Sequence, residues 1–197
     1  MTTAMIRCLR HQFPEAQIDM VVREDFFDLI KDNPRLNQKR ALSRGEGLSG
    51  LFELYRWINE QNYDVIYDAH RSLRTLALMP FLKARQKFYF QKHYLRRSLA
   101  LTFKIPLLKN FGRFLERYLL PLAPLGVKYD GKGPELFISD EALRSVALKF
   151  PITQTSQVKV GLIPSAQWPG KRWPLNYFRE LIEKIVSETS YHLILFG

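Results

Sequence analysis

The chain is short of several things, and each shortage excludes something. Among 197 residues there is one cysteine, Cys8. A single thiol rules out an internal disulfide and a cysteine-rich metal centre. No stretch approaches the run of about 18 apolar residues that a membrane-spanning helix needs. The first residues carry no apolar segment of the kind a secretory signal requires, so no signal peptide is expected and the expected compartment is the cytoplasm. Internal repeats and low-complexity blocks are also missing. Negative charge is scarce: 19 Asp and Glu stand against 30 Lys and Arg, a formal net charge of +11. Such an excess bears on anionic partners, not on fold. Apolar residues, at 46%, suffice for a core, so this is not a disordered basic tail. The length suits one or two domains.

What is present is clearest at the carboxyl-terminal end. Val158–Ile163 is a β-branched apolar run, the mark of a buried parallel strand, and Tyr191–Phe196 is a second. Between them Phe178, Leu181, Ile182, Ile185 and Val186 fall on one helical face. Pro174 has the fixed φ that suits the first helical position. The segment reads as β-loop-α-β with a right-handed crossover. Its loop leaves a strand's carboxyl end and enters a helix amino terminus, where open α/β sheets take ligands and free N–H groups favour phosphate. Ser165 adds a hydroxyl, and Lys171 and Arg172 add two mobile cations. Two readings fit: a phosphate or pyrophosphate site, or an exposed loop with solubilising charge. No glycine-rich phosphate loop or dinucleotide fingerprint decides between them.

Earlier in the chain, Thr2–Gln12 reads as a helix with Met5, Ile6 and Leu9 on one face, and Gln17–Val22 as a strand. Glu24–Lys31 reads as a short amphipathic helix stopped by Asn33-Pro34, Lys39–Gly50 as a glycine-containing basic loop, and Leu51–Asn62 as a helix. Tyr63–Asp68 is a strand that runs into Ala69–Thr75 and another helix. Asp68 and His70, at that strand's carboxyl end, have the chemistry of an acid/base pair or of ligands for sugar hydroxyls. Alternatively, Asp68 caps the next helix and His70 bonds to backbone. Arg71 and Arg74, about a turn apart, can grip acidic groups or stay solvated.

Three stretches, in order, resemble glycosyltransferase family nine, the ADP-heptose:lipopolysaccharide heptosyltransferases of GT-B fold. One is Thr2-Thr3, Leu9 and Phe13-Pro14. The next is Tyr63-Asp64 with Asp68, His70, Arg74 and Thr75. The last is Val160-Gly161-Leu162-Ile163-Pro164-Ser165-Ala166 leading to Lys171-Arg172-Trp173-Pro174. The resemblance implies an α/β, GT-B-like chain of two Rossmann-like domains. The first would lack its initial strand, and the second would be present only as its first β-α-β unit. It implies an acceptor-side domain over residues 1–133, a linker over 134–157 and the start of a nucleotide-sugar domain over 158–197. It assigns donor-phosphate binding to Lys171 and Ser165, and places the Asp68, His70, Arg71 and Arg74 loop on the acceptor side. The reaction implied is inverting transfer of heptose from an ADP-heptose-like donor to a lipopolysaccharide or lipid A core acceptor, with no metal and no cofactor. The family's catalytic aspartate follows its first strand, and no residue here takes that role. Little or no turnover is therefore expected of this chain alone.

Lys83–Arg117 is the charge anomaly, with ten cations, interleaved aromatics and Glu116 as its lone acid. A heptosyltransferase would use such a surface toward an acidic lipid acceptor and the anionic inner membrane, as a peripheral cytoplasmic protein. An ordinary helical hairpin with a solvated basic face is the plainer reading. No nucleic-acid module is recognisable, so no nucleic acid is expected as a partner. Two other functions remain open from the residues: a non-catalytic basic protein binding membrane or nucleic acid, and a GT-B transferase using another sugar nucleotide.

Overall fold

The computed structural model describes residues 2–43, 45, 47–105, 114–150 and 156–196. The chain divides into two compact units, Met1–Phe137 and Ile138–Gly197.

The first unit opens with helix α1, Thr2–Gln12, which buries Ala4, Met5, Ile6 and Cys8. Pro14 cannot continue it. Arg10 then fixes the turn that follows: its guanidinium donates to the carbonyls of Pro14 at 2.8 Å and Ala16 at 2.6 Å, and to Asn37 Oδ1 at 2.7 Å. Strand β1, Met20–Arg23, pairs in parallel with β2, Lys39–Leu42, setting Met20 opposite Lys39. The link between them is a 3-10 helix, Glu24–Leu29, with no buried residue, in place of the expected amphipathic α-helix. Strand β2 corrects the expected loop over Lys39–Gly50. Lys-Arg-Ala-Leu carries no strand signature of its own. The β1 ladder makes it a strand, and Arg40 lies over the Trp57 ring at 5.5 Å.

Helix α2, Gly47–Glu60, leads to β3, Val65–Asp68, and then to α3, Leu73–Leu78, and a 3-10 turn, Met79–Phe81. Strand β4, Gln86–Tyr89, pairs in parallel with β3, placing Val65 opposite Gln86. It lies inside the basic stretch, where the sequence suggested helix. The rest of that stretch gives α4, Tyr94–Thr102, and α5, Phe114–Leu119. Lys109 and Arg113 lie outside the described residues. A 3-10 turn, Leu120–Leu125, ends at Gly126, whose φ of +78° suits glycine.

Three clusters show how the layers stack. Met20 and Val22 of β1 pack toward Ile6 of α1, while Tyr67 of β3 and Phe88 of β4 pack toward Met5 and Cys8 of the same helix. On the opposite face Val21, Leu42, Ile66 and Tyr89 pack on Leu54 of α2 and Leu78 of α3. Both strand pairs thus lie in one layer, with α1 on one side and α2 and α3 on the other.

The second unit holds α6, Asp140–Lys149, capped by Ser139, whose Oγ accepts from the Ala142 N–H at 3.3 Å. Strand β5, Lys159–Leu162, a loop, α7, Leu175–Glu188, and β6, His192–Leu195, follow. β5 and β6 are parallel, with Lys159 opposite His192. A Cβ at Gly161 would meet the Phe196 ring at 3.0 Å, so a larger residue there would push that ring aside. The sequence pointed to two sheets; the described strands form three parallel pairs, and β5 pairs with neither strand pair of the first unit.

Candidate functional site

Two loops carry the candidate residues, each at the carboxyl end of a parallel strand. In the first unit Asp68 ends β3 and is 7% exposed. Its Oδ1 accepts from the main-chain N–H of His70 at 3.0 Å and of Arg71 at 2.7 Å. Oδ2 is buried and meets no hydrogen-bond donor among the described residues. Asp68 therefore holds the loop through backbone, and what it takes from His70 is the main chain, not the imidazole. Among the described residues no bond joins the Asp68 carboxylate to the His70 imidazole. The structure corrects the expected cap. Ser72 caps α3, accepting from Thr75 N, while Thr75 Oγ1 accepts from Ser72 N at 2.9 Å.

Fixing those two amides holds Arg71 at φ +49°, in the left-handed region. Arg71 thus precedes α3, and Arg74 sits in its first turn; both are exposed, as is His70. Beneath them Tyr67 donates its hydroxyl to the Tyr118 carbonyl at 2.9 Å, and burial pushes its phenol pKa up, so it stays protonated.

In the second unit the loop after β5 passes Ser165, makes a 3-10 turn at Pro169–Lys171 and enters α7. Pro174 sits at the cap, one position earlier than expected, with no side-chain cap. Its carbonyl accepts from Tyr177 N at 3.1 Å and Phe178 N at 3.4 Å. The N–H groups of Leu175 and Asn176 lie ahead of the first helical bonds, as helix geometry requires. Trp173 stacks on Tyr177, with ring centroids 5.7 Å apart, and meets Phe178 edge-on at 4.9 Å, which fixes the entry to the helix.

The two neighbouring cations part company here. Arg172 Nε donates to the Ala166 carbonyl at 2.7 Å and closes the loop on itself. Lys171 and Ser165 are exposed, and no described residue pairs with the Lys171 ammonium. Sequence reading treated both cations as mobile. The tying role of Arg172 depends on a bond back to residue 166 that no local pattern announces. Among the described residues no group of three or more His, Cys, Asp or Glu side chains is placed to hold a metal.

Parallel strand–helix–strand units with polar loops at the strand carboxyl ends define an α/β protein of open, parallel-sheet type. The family is narrower than that. A family model of glycosyltransferase family 9 (heptosyltransferase) matches residues 51–197, so the chain belongs to glycosyltransferase family 9. Lipopolysaccharide heptosyltransferase 3 of Escherichia coli is 23% identical over 203 residues, covering 99% of this chain and 59% of that protein. Among solved structures, a glycosyl transferase family 9 protein from Veillonella parvula matches with a TM-score of 0.74 at 20% identity, over 98% of this chain and 64% of its own. The E. coli ADP-heptose LPS heptosyltransferase II matches with a TM-score of 0.71 at 19% identity, over 100% of this chain and 60% of its own. The GT-B-like α/β fold expected from the sequence is the fold these neighbours share. The chain spans 59% of the length of the curated relative it matches.

Proposed function

We propose that the chain is part of a heptosyltransferase that moves heptose from an ADP-heptose-like donor to a lipopolysaccharide core acceptor, with inversion at the anomeric carbon. In this reading residues 158–197 begin the donor-binding domain and residues 1–133 form the acceptor-side domain. The observation that carries it is the loop after β5. An exposed ammonium without a partner among the described residues, an exposed hydroxyl and a helix amino terminus lie in one loop that Arg172 closes. A diphosphate placed there meets Lys171, Ser165 and the free N–H groups together. As ADP departs, negative charge grows on its terminal phosphate, so the ammonium acts more on the transition state than on binding. Arg71 and Arg74 are the groups proposed to meet acidic substituents of the acceptor. The basic surface is proposed to hold the protein against the anionic inner leaflet.

The direct test is titration of the chain with ADP, followed through the backbone amide signals of residues 165–176. ADP should shift these signals, and Lys171→Ala should weaken binding about tenfold, the scale of one charge-assisted phosphate contact. Lys171→Arg should restore only part, because a planar fork does not reproduce a compact ammonium. If Lys171→Ala changes nothing, the loop is not the donor-phosphate site.

A further inference from the structure

The first unit carries an apolar groove that neither candidate loop uses. It lies between α2 and α3, encloses about 330 Å³ and is lined by Leu51, Phe52, Tyr55, Ala77, Leu78 and Phe81. Leu54 and Leu78 belong to one buried cluster, through which both helices pack on the strand layer. The rest of the lining is open to solvent. Phe52 is 60% exposed and Phe81 69%, and Leu73 and Leu76 of α3 are exposed as well. Phe52 stacks on Tyr55 with ring centroids 6.1 Å apart, so one wall of the groove is a pair of aromatic rings. A contiguous exposed apolar surface of this kind marks a contact site.

Charge decides what the groove can take. Arg74, Ala77 and Leu78 stand at i, i+3 and i+4, so Arg74 shares their face of α3, one turn before the lining residues. At the groove's other end the Lys83 N–H donates to Asn59 Oδ1 at 2.6 Å. Asn59 follows Tyr55 by four residues, so this bond brings Lys83 to the lining face of α2. Both cations are exposed, and no described residue pairs with either side chain. The sequence has no Asp or Glu between Asp68 and Glu116. In α2, Glu53 and Glu60 are engaged by Arg40 at 3.7 Å and Arg56 at 3.9 Å. A second copy of a chain with a net charge of +11 would bring cations against cations here. An apolar surface with cations at both ends fits anionic lipid instead, whose acyl chains take the rings and whose phosphates take the cations.

We propose that the groove between α2 and α3 is a membrane contact. Phe52 and Phe81 enter the acyl region of a bilayer that contains anionic lipid, and Arg74 and Lys83 meet the headgroup phosphates. The rings add an apolar part to the electrostatic attraction, and this part resists salt because it comes from removing apolar surface from water. The contact stands on the groove alone. Its consequence for the acceptor rests on the transferase reading: the Arg71–Arg74 loop then lies at the membrane surface, where a lipid-linked acceptor is presented.

The test is co-sedimentation of the full chain with vesicles of mixed phosphatidylcholine and phosphatidylglycerol. Phe52→Gln combined with Phe81→Gln should weaken binding at least about tenfold, at low and high salt alike, because two phenyl rings lose their apolar surroundings. Arg74→Gln combined with Lys83→Gln should weaken it roughly tenfold at low salt and much less at high salt. A second reading needs no loss of binding: the indole of a Phe81→Trp variant should be quenched by lipid brominated along its acyl chains, beyond any quenching of the parent chain. Both rings are exposed, so the glutamine variant should unfold at the parent's temperature; the indole reading holds even if it does not. Unchanged vesicle binding by the glutamine variant overturns the proposal, as does an unquenched indole at position 81. Self-association of the parent without lipid, lost in the glutamine variant, would give the groove to a second copy and overturn it too. If salt abolishes binding while the rings prove indifferent, the electrostatic account survives and this one fails. ADP binding tests the transferase reading separately.

Discussion

At the residue scale, Asp68 is a loop holder. Asp68→Ala leaves two amides at the strand end without their acceptor. It should cost about 1–3 kcal/mol, the scale of leaving partly buried donors unpaired, measured by urea unfolding. Arg71 gives the opposite result. Its left-handed φ of +49° is unfavourable for a side chain and free for glycine. Arg71→Gly should therefore raise stability by up to about 1 kcal/mol while removing a cation from the loop. A loss of stability in Arg71→Gly would show that the guanidinium itself supports the loop. Both positions were visible in the sequence as chemistry-bearing. Their roles were not, because the carboxylate spends Oδ1 on backbone donors whose direction only the folded turn sets.

At the element scale, α1 is fastened to residues 130–135 by Arg7. Its Nε donates to Asp130 at 2.6 Å, Nη1 to Glu135 at 3.0 Å, and Nη2 to the carbonyls of Lys132 and Gly133, each at 3.0 Å. Arg35 adds a second contact to Glu135 at 2.7 Å. The hydrogen bond from Arg7 is the main reason the Asp130 carboxyl is held down at a pKa of about 2. A depressed folded pKa means the unfolded chain takes up the proton first. The stabilisation is complete above the ordinary aspartate range, near pH 4, and is lost as pH falls toward 2. Arg7→Gln should lower stability at neutral pH and flatten the fall in stability between pH 4 and 2; an unchanged acid limb in denaturant titrations would remove Arg7 from that role. The capping box on α3 gives a second prediction of this scale: Ser72→Ala should cost about 1 kcal/mol in the same titration. Helix signals were legible for α1, α2 and α7 because each has an apolar face within its own span. β2 and β4 were not legible, since Lys39–Leu42 and Gln86–Tyr89 owe their strand state to partners some twenty residues away.

At the scale of the whole molecule, burial is uneven. Among described residues the buried apolar side chains fall almost entirely in the first unit, with Leu162 the exception in the second. Few buried apolar contacts mean a low free energy of local opening. Amides of β5, α7 and β6 should thus exchange well before those of α1 and β3 in native-state exchange; equal protection would contradict this. The charge of +11 gives a second whole-molecule expectation. Attraction to vesicles containing anionic lipid should fall steeply between low and high salt, since exposed charges are screened over about 10 Å at 0.1 M. Equal binding to neutral vesicles would rule out the electrostatic account.

The sequence by itself determined the class of fold, the β-loop-α-β unit at the carboxyl-terminal end, and the family whose motifs run through Tyr63–Thr75 and Val160–Pro174. Each of these is written in contiguous residues, as β-branched runs, helical periodicity or short polar motifs at fixed spacing. The tertiary structure decided what depends on partners distant in sequence. It set Arg172 on the Ala166 carbonyl and left Lys171 open to solvent. It turned Asp68 toward backbone, and it made strands of Lys39–Leu42 and Gln86–Tyr89. A hydrogen-bond partner is a matter of position and direction, and the chain acquires both only when its layers pack.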